Sequence, residues 1–180
     1  MDHVLNLRKS RIKASKPGMK DKKNINTNHS NEYLTFKFGK ETFAIKITSI
    51  KEVINYTKIT KVPRLAEHLK GIINLRGNII SIIDVRIKLG IKIMEENLDT
   101  CIIITEIQDK DEIIQTGIPA DSVQEVLYLS KNQINSSPRV GIKINKDYLK
   151  GIGLKNDTPV LILDIEKIIA DDNQSENNLY

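Results

Sequence analysis

The chain has 180 residues, with 28 Lys and Arg against 23 Asp and Glu, and aromatic side chains make up only 4% of it. That length gives one domain or two small intertwined halves, with room for a core: a body of about 150 residues buries roughly 68–70% of its unfolded surface. The single cysteine excludes an intrachain disulfide, and the formal charge of +5 points to an acidic partner only if the folded part carries it.

It does not. Residues 1–30 hold eight basic side chains, from Arg8 to Lys23, against Asp2 and Asp21, whereas the rest of the chain carries 20 basic and 21 acidic residues. Nucleic-acid binding by the body therefore loses its main support. The tail itself, rich in Lys, Asn and Ser with Pro17 and Gly18, reads as disordered. It has no apolar stretch long enough for a signal peptide or a membrane span.

From residue 31 the pattern changes to short strands. Tyr33-Leu-Thr-Phe-Lys-Phe38 alternates, turns at Gly39-Lys40 and returns as Phe43–Ile47. Residues 71–80, Gly-Ile-Ile-Asn-Leu-Arg-Gly-Asn-Ile-Ile, place two apolar runs on either side of a polar turn that contains Arg76. Ile79–Ile83 and, later, Val160–Leu163 are continuous enough to be buried on both faces. Each ends in an aspartate, Asp84 or Asp164, that suits the N-cap of a short helix. Thr100–Glu106 and Glu112–Gly117 form a further hairpin turned at Asp109-Lys110, and Cys101 reads as a small buried hydrophobe in a reducing compartment. Asp171 to Tyr180 reads as a frayed end.

The body repeats itself. Residues 69–84, LKGIINLRGNIISIID, align without a gap over residues 149–164, LKGIGLKNDTPVLILD, and residues 45–53 align over 118–126 with a shared Ser-x-x-Glu-Val. The order of strand, Glu-Val element, proline loop, Leu-Lys-Gly strand, turn, strand and Asp recurs, which marks a duplicated β-module. In the second copy the Arg76-Gly77 positions hold Asn156-Asp157, ordinary turn residues. The turn can thus be built without arginine, so turn geometry alone leaves Arg76 unexplained.

Chemistry is sparse. The three histidines, His3, His29 and His68, have no metal-ligand spacing, and no phosphate-cradling glycine loop or nucleophile elbow is present. Glu95-Glu96 and Asp109 to Glu112 read as solvated loops. The residues select no catalytic pair, metal or cofactor, so the reading is a non-enzymatic β-protein.

The ordered set Tyr33-Leu-Thr-Phe, Ile50-Lys-Glu-Val53, Lys61-Val-Pro63, Leu69-Lys-Gly-Ile-Ile-Asn-Leu-Arg-Gly77, Ile82-Ile-Asp-Val-Arg86 and Leu163-Asp-Ile-Glu-Lys-Ile168 resembles the CheW family of bacterial chemotaxis coupling proteins. The likeness spans about residues 32–170, and its most specific element is the Asn-Leu-Arg-Gly loop followed by a strand and Asp-x-Arg. The same module forms the regulatory domain of the CheA kinase and part of receiver-fused couplers, for which this chain has no room. Ser81 stands where the family usually has proline. Pro119 replaces an aliphatic residue, which suggests a strand edge or a bulge.

The resemblance implies an all-β fold with short helices, built as two intertwined five-stranded SH3-like β-barrels over residues 31–170. It implies a cytoplasmic adaptor, recruited to membrane-associated chemoreceptor arrays, that joins a methyl-accepting chemoreceptor's cytoplasmic tip to the regulatory domain of a CheA-type histidine kinase. Neither a small-molecule substrate nor a specific nucleic acid belongs to that role. Carried over residue by residue, Arg76 is the receptor-facing loop arginine, able to pair with Glu52, and Ile50, Val123 and Val126 line the groove for the receptor helix. The kinase contact falls on the first barrel's outer surface around Gly39, Lys40, Glu41, Pro63, Arg64 and Leu65. The aliphatic positions equally suit a buried core, and Glu52 equally suits an exposed surface acid. A reading from another class keeps the β-barrels but has the basic tail bind anionic membrane or nucleic acid.

Overall fold

The computed structural model describes residues 31–93, 95–109, 112–136 and 144–177, so the basic tail, residues 1–30, lies outside the described residues. Among the described residues ten strands follow in chain order: β1 (Glu32–Phe38), β2 (Glu41–Lys46), β3 (Ile50–Asn55), β4 (Leu69–Leu75), β5 (Asn78–Ile83), β6 (Cys101–Asp109), β7 (Glu112–Ala120), β8 (Ser122–Tyr128), β9 (Leu149–Lys155) and β10 (Thr158–Leu163). Helix α1 (Val85–Leu89) follows β5 and α2 (Ile165–Asn177) follows β10. The backbone of α2 runs to Asn177, into the stretch 171–180 that reads as frayed in the sequence.

The strands form two five-stranded sheets, ordered β8-β1-β2-β10-β9 and β3-β6-β7-β5-β4. Adding five to each strand number of one half, or subtracting five in the other, converts one order into the other. The duplication is therefore a structural pseudo-two-fold, and the halves have exchanged hairpins: β1–β2 completes the sheet built from β8, β9 and β10, while β6–β7 completes the sheet built from β3, β4 and β5. The exchanged hairpin meets its host through a short parallel pairing in each sheet, Val160–Ile162 beside Thr42–Ala44 and Ser81–Ile82 beside Thr116–Gly117.

Alternation along each strand explains the Ile-rich runs, because successive side chains serve different cores. Phe36, Phe38, Phe43 and Ile45 from one sheet meet Ile103, Ile107 and Ile118 from the other, with α1 and α2 closing this shared core through Val85, Leu89, Ile165, Ile168 and Ile169. The three phenylalanines of the chain lie together here, with ring centroids 5.0 to 6.2 Å apart. The opposite faces line each sheet's own interior: Tyr33, Ala44, Val160 and Ile162 in one, Ile73, Ile80, Ile82, Ile102 and Ile104 in the other. Ile54 from edge strand β3 and Leu75 from edge strand β4 pack on the latter cluster, so the sheet curls until its two edges share one interior, in the SH3-like manner.

One local expectation needs correction, and at Pro119 the structure selects the strand edge over the bulge. Val160 to Leu163 are all buried, but on β5 Ile79 is 64% exposed. Its partner across the ladder is Asn74, and pairing with β7 begins only at Ser81, so at Ile79 the strand edge on the β7 side is open and no neighbouring strand there covers its side chain. Pro119 introduces no bulge, since β6 and β7 pair in unbroken register from Cys101↔Ala120 to Asp109↔Glu112. It is tolerated because the parallel pairing of β7 with β5 stops at Gly117, which leaves Pro119 laddered on one side only.

Candidate functional site

Arg76 and Gly77 form the two-residue turn between β4 and β5, with φ of 54° and 91°. Asn156 and Asp157 turn β9 into β10 in the same left-handed way, with φ of 46° and 62°. Such turns match the twist of the strands they join and favour Gly, Asn and Asp. An arginine here works against a backbone preference of about 1 kcal/mol. Asn74 holds the turn, its Oδ1 accepting from the Gly77 amide at 2.8 Å.

Arg76 uses the position to reach across the gap between the two sheet edges. Its Nη1 and Nη2 donate to Glu52 Oε1 and Oε2 on β3, both at 2.8 Å, a two-pronged guanidinium–carboxylate pair. The Arg76 side chain is 58% exposed and that of Glu52 is 22% exposed. Glu52 takes two of the five guanidinium N–H donors, so the fork is fixed in direction while retaining donors for a partner. Glu52 is delivered by an irregularity in the β3–β6 register between Ile50 and Glu52, and Glu125 by the matching one between β8 and β1. The second half repeats the device with other residues: Lys155, just before its turn, pairs with Glu125 on β8.

The apolar residues divide. Ile50 and Val123, equivalent positions of the two halves, are half-buried and both pack on the shared core, as does Val53. Val126 is half-buried but is not among the side chains packed on that core; it lies opposite Leu34 of β1. The residues read as kinase-facing do not share one barrel. Gly39 and Lys40 cap the β1–β2 hairpin in one sheet, with Glu41 opening β2, whereas Pro63, Arg64 and Leu65 lie between β3 and β4 of the other. The exchange of hairpins separates them, which a linear reading of the first half misses. Lys40, Glu41, Pro63 and Arg64 are exposed, and Arg64 has a φ of 64°.

A second polar centre is built on Asp84, which the sequence presents as a helix cap. Asp84 does accept from the Arg86 backbone amide, at 3.2 Å. It is also fully buried, and its carboxylate receives Arg86 Nε at 2.8 Å and Nη2 at 2.9 Å, with Lys70 Nζ at 3.3 Å. The remaining arm, Arg86 Nη1, donates to Asp121 Oδ1 at 2.6 Å. Burial tends to lower the Arg86 pKa, but the two carboxylates outweigh it and hold the pKa above its ordinary value. The Asp-x-Arg motif was the available signal; nothing in linear sequence points to Asp121 as its third member.

Among the described residues no group of three or more His, Cys, Asp or Glu side chains is placed to hold a metal ion, and no helix is long and apolar enough to cross a membrane.

Residues 32–173 match the model of the CheW-like domain family. The chain is 30% identical over 139 residues to the chemotaxis protein CheW of Klebsiella aerogenes, covering 77% of this chain and 81% of that one. It is 31% identical over 141 residues to the chemotaxis protein CheW of Helicobacter pylori, covering 78% and 82%. Among solved structures, the scaffolding protein TtCheW from Thermoanaerobacter tengcongensis superposes with a TM-score of 0.68 at 32% identity, over 76% of this chain and 85% of that one.

Proposed function

The chain belongs to the CheW-like family of chemotaxis proteins, and from that membership we propose that it is a non-enzymatic adaptor coupling chemoreceptor cytoplasmic tips to a CheA-type histidine kinase in signalling arrays. The observation that carries the site assignment is the exposed, two-pronged Arg76–Glu52 pair at the turn where the fold itself asks for Asn or Asp. A receptor helix lays its apolar face over the half-buried Ile50 and Val123, with Val126 at the periphery, and meets the oriented guanidinium at the rim. The kinase regulatory domain is met by two patches, Gly39–Glu41 on one sheet and Pro63–Leu65 on the other. The array places the protein at the cytoplasmic side of the receptor membrane. The alternative, a tail-driven binder of nucleic acid or anionic membrane, rests on residues 1–30, and the family match from residue 32 gives it no support.

Capture of a kinase regulatory domain and of a receptor cytoplasmic fragment by wild type, Arg76→Ala and a chain lacking residues 1–30 tests this. Arg76→Ala should stay folded, keep the kinase and lose receptor affinity by up to about fivefold, as for an oriented charge at the rim of a contact. Loss of the tail should change neither. Unchanged receptor binding by Arg76→Ala would remove the site assignment, and failure of the wild type to bind either partner would remove the adaptor reading.

A further inference from the structure

The buried charge centre has a member in the β1–β2 turn. Asp121, whose Oδ1 takes Arg86 Nη1, uses its Oδ2 to accept the Gly39 backbone amide at 2.5 Å. The amide of Asp121 in turn donates to the Lys37 carbonyl at 3.1 Å, so this residue holds the end of β1 and the first residue of the turn together. Arg86 also lies 5.7 Å over the ring of Phe38, the last residue before the turn. The chain of contacts therefore runs from Asp84, fully buried at the end of β5, through Arg86 to Asp121 between β7 and β8, and out to Gly39. A hairpin tip that the ladder alone would leave free to fray is tied to a buried ion pair that belongs to the other sheet.

The fold does not require this arrangement. In the second copy Asp164 occupies the place of Asp84, but Glu166 stands where Arg86 stands and Thr48 where Asp121 stands. There Lys150 pairs with both Asp164 and Glu166, at 3.5 and 2.9 Å, at a far more exposed site. Two related modules share one architecture, and among the described residues only one carries a buried guanidinium that reaches a hairpin.

We propose that Arg86, acting through Asp121, is a positioning residue that fixes the Gly39–Glu41 hairpin for the kinase contact. This rests on the reading of that hairpin as kinase-facing. Arg86 touches no partner; its role is to hold the Gly39 amide, and hence the exposed Lys40 and Glu41, in one geometry.

The test uses the full chain with Asp121→Asn and Arg86→Lys, and Lys40→Glu as the direct probe of the hairpin surface. Asparagine cannot accept from Arg86 and from the Gly39 amide through both of its atoms, and lysine cannot span Asp84 and Asp121 as the guanidinium fork does. Amide exchange at Gly39 is compared with that at Gly77, which Asn74 holds independently. Loss of a hydrogen bond to a charged acceptor should speed Gly39 exchange by about ten- to a hundredfold while Gly77 is unchanged. Kinase-domain affinity should fall by about tenfold with receptor-fragment affinity intact, a split that general destabilisation would not produce. Gly39 exchange as slow as in wild type in folded Asp121→Asn overturns the proposal, and that variant suffices if Arg86→Lys fails to fold. Fast Gly39 exchange with unaltered kinase binding also overturns it when Lys40→Glu does abolish binding. If Lys40→Glu leaves kinase binding intact as well, the hairpin is not the kinase surface, and the proposal falls with the reading beneath it.

Discussion

Arg76 occupies a backbone position that disfavours it and spends its side chain on a pair open to water, so its contribution to folding is small. Exposed ion pairs contribute roughly 0–1 kcal/mol, which the left-handed backbone of a non-glycine residue offsets. Arg76→Asn, which supplies a residue suited to the turn while deleting the pair, should shift stability in urea by less than about 1 kcal/mol in either direction. Cys101 behaves in the opposite way. It is buried in β6 with its Sγ toward the Ala120 carbonyl, and burial pushes its thiol up to about 11. The thiolate is the reactive species, so native protein at pH 8 should resist iodoacetamide and react in full once unfolded in guanidinium, as mass spectrometry would show. Burial of Cys101 was legible from the Ile run around it. The partner of Arg76 was foreseen only through family likeness, because nothing in the spacing of residues 52 and 76 says that two sheet edges meet.

At the level of elements, the repeated Leu-Lys-Gly signature has a steric cause. A Cβ on Gly71, where φ is +132°, would stand 2.1 Å from the Thr60 carbonyl oxygen. That oxygen accepts from the Ile72 amide at 2.9 Å, in a bridge that covers the outer edge of β4. Gly151 stands in the same relation to Asn135, which bridges to Ile152 on β9. Gly71→Ala must either break the Thr60 bridge or move backbone, and should cost about 2 kcal/mol or more by chemical denaturation. The strands, the Gly39-Lys40 turn and both aspartate caps were legible because periodicity and turn chemistry are local. The irregular registers that deliver Glu52 and Glu125, and the covering segments at Thr60 and Asn135, were not, since each depends on a strand distant in sequence.

For the molecule as a whole, the duplication could be read from the residues, but the intertwining of the barrels only through family likeness: alternation reports that a residue is buried, not which neighbour buries it. The exchange makes each half incomplete. Residues 31–97 alone contain β1 and β2 without β8, β9 and β10, and β3, β4 and β5 without β6 and β7. That fragment should show no cooperative melt, whereas mixing it with residues 98–180 should restore one, as circular dichroism would record. The same wiring governs birth on the ribosome. The β1–β2 hairpin emerges before every other described strand but has to wait for β10, the last of them, before its inner flank is occupied. Synthesis is therefore a period of exposure for Phe36, Phe38 and Phe43, whose aromatic surface must be kept from other nascent chains until β10 has emerged.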